Sequence, residues 1–427
     1  MSDIATPSAR IAVSGRRHEV AFWAVAFALL SILAYSAVPT PLYPLYQARD
    51  GFSSLIVTVV FAVYAVGVVI SLFTVGHLSD WHGRRRLVVP ALGVAIASAL
   101  VFLLWRDLPG LLLGRFLSGL GVGAVTATAT AWIAELHAES RPAEPPHRAE
   151  VVATAANLGG IGVGPLVAGA LVQWVADPLT VPFLVFIVVL LLALAGALWS
   201  PETRRRARPL PAYRPQRVSV PPDARRAYLA AAVAAAISFA SFGLFTSLAP
   251  SFLAGTLHDG APLLAGVTAF TVFAAGAAGQ MFVARRPISV AVTAGVALML
   301  GGLALVVIAV WLPSPSLGLF LLGGGIAGAG SGCLFKGVVT QASRLAMPGR
   351  RAETLAGMFL AGYIGLALPV VGLGFLTEDV PARVGLLVFA VVLGAAALVA
   401  MPVVLAGVRK IEGGAPGAYL SPGRDRG

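Results

Sequence analysis

"GHLSDWHGRRRL", residues 76–87, gathers two glycines, one acid and three consecutive arginines into a short run. Its surroundings decide how it is read, because neither residues 54–75 before it nor residues 88–105 after it contain a single Asp, Glu, Lys or Arg. About 20 apolar residues coiled as a helix cross the roughly 30 Å hydrocarbon layer of a bilayer. The charged run is therefore expected to be a turn between two membrane-crossing helices. Its glycines allow a tight reversal, Asp80 can pair with a helix N-terminus or a basic side chain, and the arginines suit anionic headgroups.

The same alternation continues along the chain. Of the 427 residues, 58% are hydrophobic and 11% charged, and the mean hydropathy is +0.89. Hydrophobicity predicts twelve spans, over 20–42, 54–79, 87–105, 109–136, 150–174, 179–200, 227–254, 262–284, 287–311, 316–343, 352–376 and 382–408. Continuous apolar runs favour helices over barrel strands, which would alternate in short pieces. The first span is too long for a typical signal peptide and reads as a retained helix. Cys333, the single cysteine, falls inside a span, so no intrachain disulfide is expected.

The formal net charge of +12 would suggest nucleic-acid binding in a soluble protein. Here 25 of the 30 lysines and arginines fall in segments 1–19, 80–86, 137–149, 201–226, 285–286, 344–351 and 409–427, all on one side of a twelve-span chain. Cytoplasmic loops carry such an excess. Both termini are thus expected in the cytoplasm of a multi-pass protein, with anionic lipid as the partner of its basic loops and no nucleic acid. Arginine-rich, lysine-poor usage points to a bacterial inner membrane.

The longest hydrophilic connection, "SPETRRRARPLPAYRPQRVSVPPDARR" (200–226), divides the spans six and six. The expected organisation is a tail at 1–19, a bundle at 20–200, a loop at 201–226, a second bundle at 227–408 and a tail at 409–427. The halves look related. "RAEVVATAANLGGIGVG" (148–164) resembles "RAETLAGMFLAGYIGLA" (351–367), and the same 203-residue offset pairs Gly76 with Gly279. A repeat of six-helix halves with a path between them is a transporter architecture.

Gly76, Leu78, Asp80, Gly83, Arg84, Arg85 and Arg86 match the GxLxDxxGRR signature of the major facilitator superfamily, and the chain resembles that family. The resemblance implies an all-α fold of two pseudo-symmetric six-helix bundles, alternating access in a monomer, and a latching role for Asp80. Trp81 stands where the family often has a basic residue. In span four, Arg115, Gly119 and Gly121 resemble an RxxxGxG motif, although Ser118 replaces a frequent glutamine. Arg115 shares a helical face with Gly119, Thr126 and Thr130, so it either faces protein or water or is satisfied by backbone carbonyls or by snorkelling outward. In span five, Gly160, Gly164, Pro165 and Gly169 resemble a GxxxGPxxGG pattern that the family associates with antiporters, with Ala168 in place of one glycine. Small residues there also serve plain helix packing. "PET" at 201–203 likewise looks like the family's.

Tyr35, Tyr43 and Tyr46 beside Pro39, Pro41 and Pro44, and Phe242 and Phe245 in span seven, are candidate cavity residues. An interfacial aromatic belt is the alternative for Tyr43 and Tyr46. There is neither HExxH nor a Cys/His cluster, and no GxxxxGK[ST] or GxSxG run. The sequence therefore offers no metal centre, no ATP site and no nucleophile turn. Neither an enzyme nor a cofactor is expected, and energy should come from a gradient, with the proton gradient first. Glu135, at the end of span four, is the candidate carboxylate for coupling. Lys336 lies about two turns inside span ten on a face with Ala329, Gly332, Thr340 and Ser343. It binds cargo, carries protons, or snorkels to the headgroups. The leading expectation is proton-coupled efflux of a small organic compound, a drug or metabolite. Import or exchange of an organic anion comes second, and a transport-inactive receptor or scaffold third.

Overall fold

A computed structural model describes residues 7–204, 212–220 and 222–413. Most of the "RRRAR" run and the tail beyond Gly413 lie outside the described residues. Among the described residues, twelve long helices make up the fold: α1 (Pro7–Ala37), α2 (Ser54–Thr74), α3 (Arg85–Leu104), α4 (Leu108–Ser140), α5 (His147–Trp174), α6 (Val181–Trp199), α7 (Arg225–Ser247), α8 (Pro262–Val283), α9 (Ile288–Trp311), α10 (Leu317–Leu345), α11 (Arg351–Asp379) and α12 (Ala382–Gly413). Each provides a stretch long and apolar enough to cross a membrane, and no strand occurs among the described residues. Leu104, Trp174, Leu368 and Val399 are more than two-thirds exposed. Large apolar side chains exposed in such number require a lipid surround.

Prolines and glycines correct the expected ends. The first apolar run does not stay helical to residue 42. It leaves α1 at Ala37, passes through a 3-10 turn at Thr40–Leu42 and resumes as a short helix at Tyr43–Asp50, because Pro39 and Pro41 cannot supply helix N–H donors. The seventh span likewise stops at Ser247, just before Pro250, and continues as Ala249–Gly255. Gly76–His82 forms two short turns of its own, so α2 ends at Thr74.

Within the first six helices, α1 packs on α4, α5 and α6, α4 also receives α2 and α3, and α3 meets α6. Every pairing recurs six helices later, as α7 with α10, α11 and α12, α10 with α8 and α9, and α9 with α12. Two apolar cores result, one in each group, joined where Leu366 and Val370 of α11 enter the first and Leu158 of α5 enters the second. The groups meet along α2–α11 and α5–α8. The second seam is tight, since a side chain at Gly169 would strike the Pro262 backbone and one at Gly266 the Pro165 backbone.

The two ends of the bundle differ. At the end opposite the 76–87 turn, Thr40 Oγ1 donates to the Thr246 carbonyl at 3.0 Å, Ser251 Oγ to Gln47 Oε1 at 3.4 Å, and the Leu55 amide to Glu378 Oε1 at 3.3 Å. These bonds join the halves. At the basic end a cavity of about 1120 Å³ separates Asp80 and Trp81 from Arg350 and Glu353, and residues 212–220 line its wall. That segment is strapped to α2 and α11. Tyr213 Oη donates to the Thr74 carbonyl, the Gln216 amide to Phe73 at 2.7 Å, and Thr354 Oγ1 to the Ser219 carbonyl at 3.0 Å. Direct helix-to-helix bonds close the far end, and the 212–220 segment bridges the halves at the basic end.

Candidate functional site

The turn at 76–87 builds an ionic knot around one arginine. Arg84 is 6% exposed at its side chain and bonds Asp80 Oδ1 at 2.9 Å, Ser79 Oγ at 2.6 Å and both carboxylate oxygens of Glu135 on α4, at 3.2 and 2.8 Å. Burial opposes the guanidinium's charge, yet Glu135 and then Asp80 hold its pKa above the ordinary value. Thr203 Oγ1 also donates to Glu135, at 2.5 Å. Asp80 is half exposed and borders the cavity, with its partner in its own half.

Glu202 completes the knot from 118 residues away. Its carboxylate accepts the amides of Arg84 at 2.7 Å and Arg85 at 3.0 Å, which caps the N-terminus of α3. Gly83 makes the approach possible. It sits at φ 106°, and a side chain there would lie 2.5 Å from Glu202 Oε2. Arg85 reaches the Leu198 carbonyl, and Trp132 Nε1 donates to the Pro201 carbonyl at 3.1 Å. The three residues "PET" therefore belong to this turn. The second half repeats only the cap. Glu412 accepts the Ile288 amide at 2.6 Å and Ser289 Oγ at 2.9 Å, but at the 203-residue offset Arg84, Asp80 and Glu135 become Pro287, Val283 and Val338.

The small residues of α4 and α5 bring backbones together. A side chain at Gly119 would strike Tyr64 of α2, at Gly121 Ala91 of α3, at Gly160 Leu30 of α1, and at Gly164 Ala34 of α1. Gly169 and Pro165 form the seam with α8 described above. Arg115 is 2% exposed. Its Nη1 donates to the Ser36 carbonyl at 2.6 Å, and its guanidinium lies 4.6 Å from the Tyr64 ring centroid and 5.6 Å from that of Phe61. Backbone and aromatic faces thus satisfy Arg115 in place of a carboxylate, while Nε keeps no partner. The expected cavity aromatics are packed away in this conformation. Tyr35 bonds Ser98, Phe242 stacks on Phe273 at 4.8 Å, Phe245 meets Phe320 edge to face, and Tyr43 and Tyr46 are 3% and 1% exposed. Such burial leaves no room for an interfacial belt.

Lys336 is half-buried, and no hydrogen bond or ion pair among the described residues engages its ammonium. Above it Ala329 and Gly332 abut Gly279 and Gly276 of α8, while Thr340 and Ser343 on the same stripe are half-buried. Four rings lie around the adjacent position. Phe335 stands 4.9 Å from Phe239 and 5.8 Å from Phe359, and Phe239 is 5.6 Å from Tyr363. Tyr363 packs against the core of the other half, to which Tyr64, the ring beneath Arg115, belongs. Sequence reasoning missed Tyr64, Phe335, Phe359 and Tyr363, since no local pattern gathers residues from separate helices.

The family profile described as Major Facilitator Superfamily matches residues 24–312. No curated protein matches the sequence. Among solved structures, a POT family transporter in complex with 5-aminolevulinic acid is similar at TM-score 0.70 and 13% identity, covering 93% of this chain and 96% of its own. The nucleoside transporter NupG is similar at TM-score 0.66 and 10% identity, covering 91% and 99%. The human organic anion transporter MFSD10 (TETRAN) follows at TM-score 0.61 and 17% identity, again covering 91% and 99%. At these identities the likeness establishes the fold alone. With more than half the chain matched by the profile, the protein belongs to the Major Facilitator Superfamily, a family of transporters and not of enzymes.

Proposed function

We propose that this transporter carries small organic anions by alternating access, and Lys336 is the observation behind that reading. The charges set deepest in its spans, Arg115 and Lys336, are both cationic. Arg115 already has a carbonyl and two aromatic faces, whereas the Lys336 ammonium has no partner among the described residues. An ionisable group inside a membrane needs one, and a carboxylate or phosphate on the cargo would provide it. The arginine-rich end faces the cytoplasm in this reading, following the positive-inside rule. Asp80 latches the basic end when the cavity closes, and the working unit is a monomer in contact with anionic lipid.

A proton gradient is the energy source, with no bound cofactor. In this reading proton and anion move in the same direction. The antiporter-like pattern of α5 favours a second reading, proton-coupled export of a drug or metabolite, with Glu135 as the coupling acid. Purified protein in liposomes with an imposed pH gradient separates the two. Organic anions accumulating along with protons support the first. Cargo leaving in exchange for protons supports the second, and transport confined to cations overturns the anion reading.

A further inference from the structure

The rings beside Lys336 are incompletely packed. Phe239, Phe335, Phe359 and Tyr363 are all half-buried, unlike the aromatic residues that fill helix seams, such as Phe245 at 0% and Phe320 at 1% exposure. Tyr363 fixes the direction in which they look. It packs against the apolar core of the opposite half, and Phe359 lies one turn away on the same stripe of α11, so this stripe faces the other half. The lipid-facing side of α11 carries Ile364 and Leu368, which are 50% and 71% exposed. Three helices therefore present open ring surface to the space between the halves, and the next residue along α10 is the unpartnered ammonium.

A flat ring gains from offset or edge-on contact with such surfaces beyond simple burial. An aliphatic body gains burial only. A cation would find the rings but also the repulsion of Lys336. We propose that the cargo is an aromatic carboxylate, its carboxylate paired with Lys336 and its ring among Phe239, Phe335 and Phe359. This assignment rests on the anion reading above and narrows it to one chemical class.

The full chain in lipid nanodiscs would be titrated calorimetrically with benzoate, phenylacetate and naphthoate, each beside its ring-saturated acid and its primary amide. At least one aromatic acid should bind, with its saturated counterpart and its amide each weaker by about tenfold. In Phe335→Leu that preference for the aromatic acid over the saturated one should fall to about twofold, with the melting temperature unchanged. Equal binding of saturated and aromatic acids would overturn the aromatic assignment and leave the anion reading standing. Equal binding of acid and amide would overturn the anion reading itself, and no binding by any acid would overturn both.

Discussion

Glu135 grips Arg84 through two hydrogen bonds, from Nε at 3.2 Å and Nη2 at 2.8 Å, and through it fixes the turn that carries Asp80. Removing one partner of a buried ion pair leaves the other charge uncompensated. Glu135→Gln should therefore cost about 1–2 kcal/mol, a figure reduced for the partial exposure of Glu135. Arg84→Lys should cost as much, since a single ammonium cannot reproduce the guanidinium fork. Thermal unfolding in detergent checks both, and a wild-type melting temperature for Glu135→Gln would refute the knot.

Glu202 and Gly83 should behave as one unit. Glu202→Ala removes the cap from α3 and should cost about 1 kcal/mol. Gly83→Ala should cost more, because it strains a residue at φ 106° and displaces the same carboxylate. The double variant should then be less destabilised than the sum of the single ones. Unfolding measurements on the three variants decide this, and strict additivity would contradict the shared contact.

Much of this fold was legible in one dimension. Twelve apolar runs, the charged turn and the span-five glycines depend on composition and short spacing, which hydropathy reads directly. The expected helix ends failed at Pro39, Pro41 and Pro250, where apolar character continues but the hydrogen-bond ladder cannot. The site was less legible. Glu202 entered only as part of "PET", because the amides it caps are more than a hundred residues away. Phe242 and Phe245 looked like cavity residues because residue type does not reveal helical phase; the structure buries both and leaves Phe239 half-buried against the core of the other half.

Thr40 joins the halves at the far end, where its Oγ1 donates to the Thr246 carbonyl at 3.0 Å. Thr40→Val deletes that bond, which is worth about 1 kcal/mol, or roughly a fivefold shift in a two-state population. A cysteine placed by Gln47→Cys, at the far-end contact with Ser251, reports the shift by its alkylation rate. The buried native Cys333 should remain unlabelled. Thr40→Val should raise labelling about threefold to fivefold, and an unchanged rate would show that the bond to Thr246 does not hold the far end shut.

The central claim is that Lys336 receives the negative charge of the cargo. Its most direct test is uptake by proteoliposomes containing the wild type, Lys336→Gln or Lys336→Arg, with one transported anion across a range of concentrations. Loss of the ammonium should raise the KM for the anion by about tenfold or more, while Lys336→Arg keeps the charge and retains most of the wild-type affinity. Wild-type KM and rate in Lys336→Gln would contradict the claim.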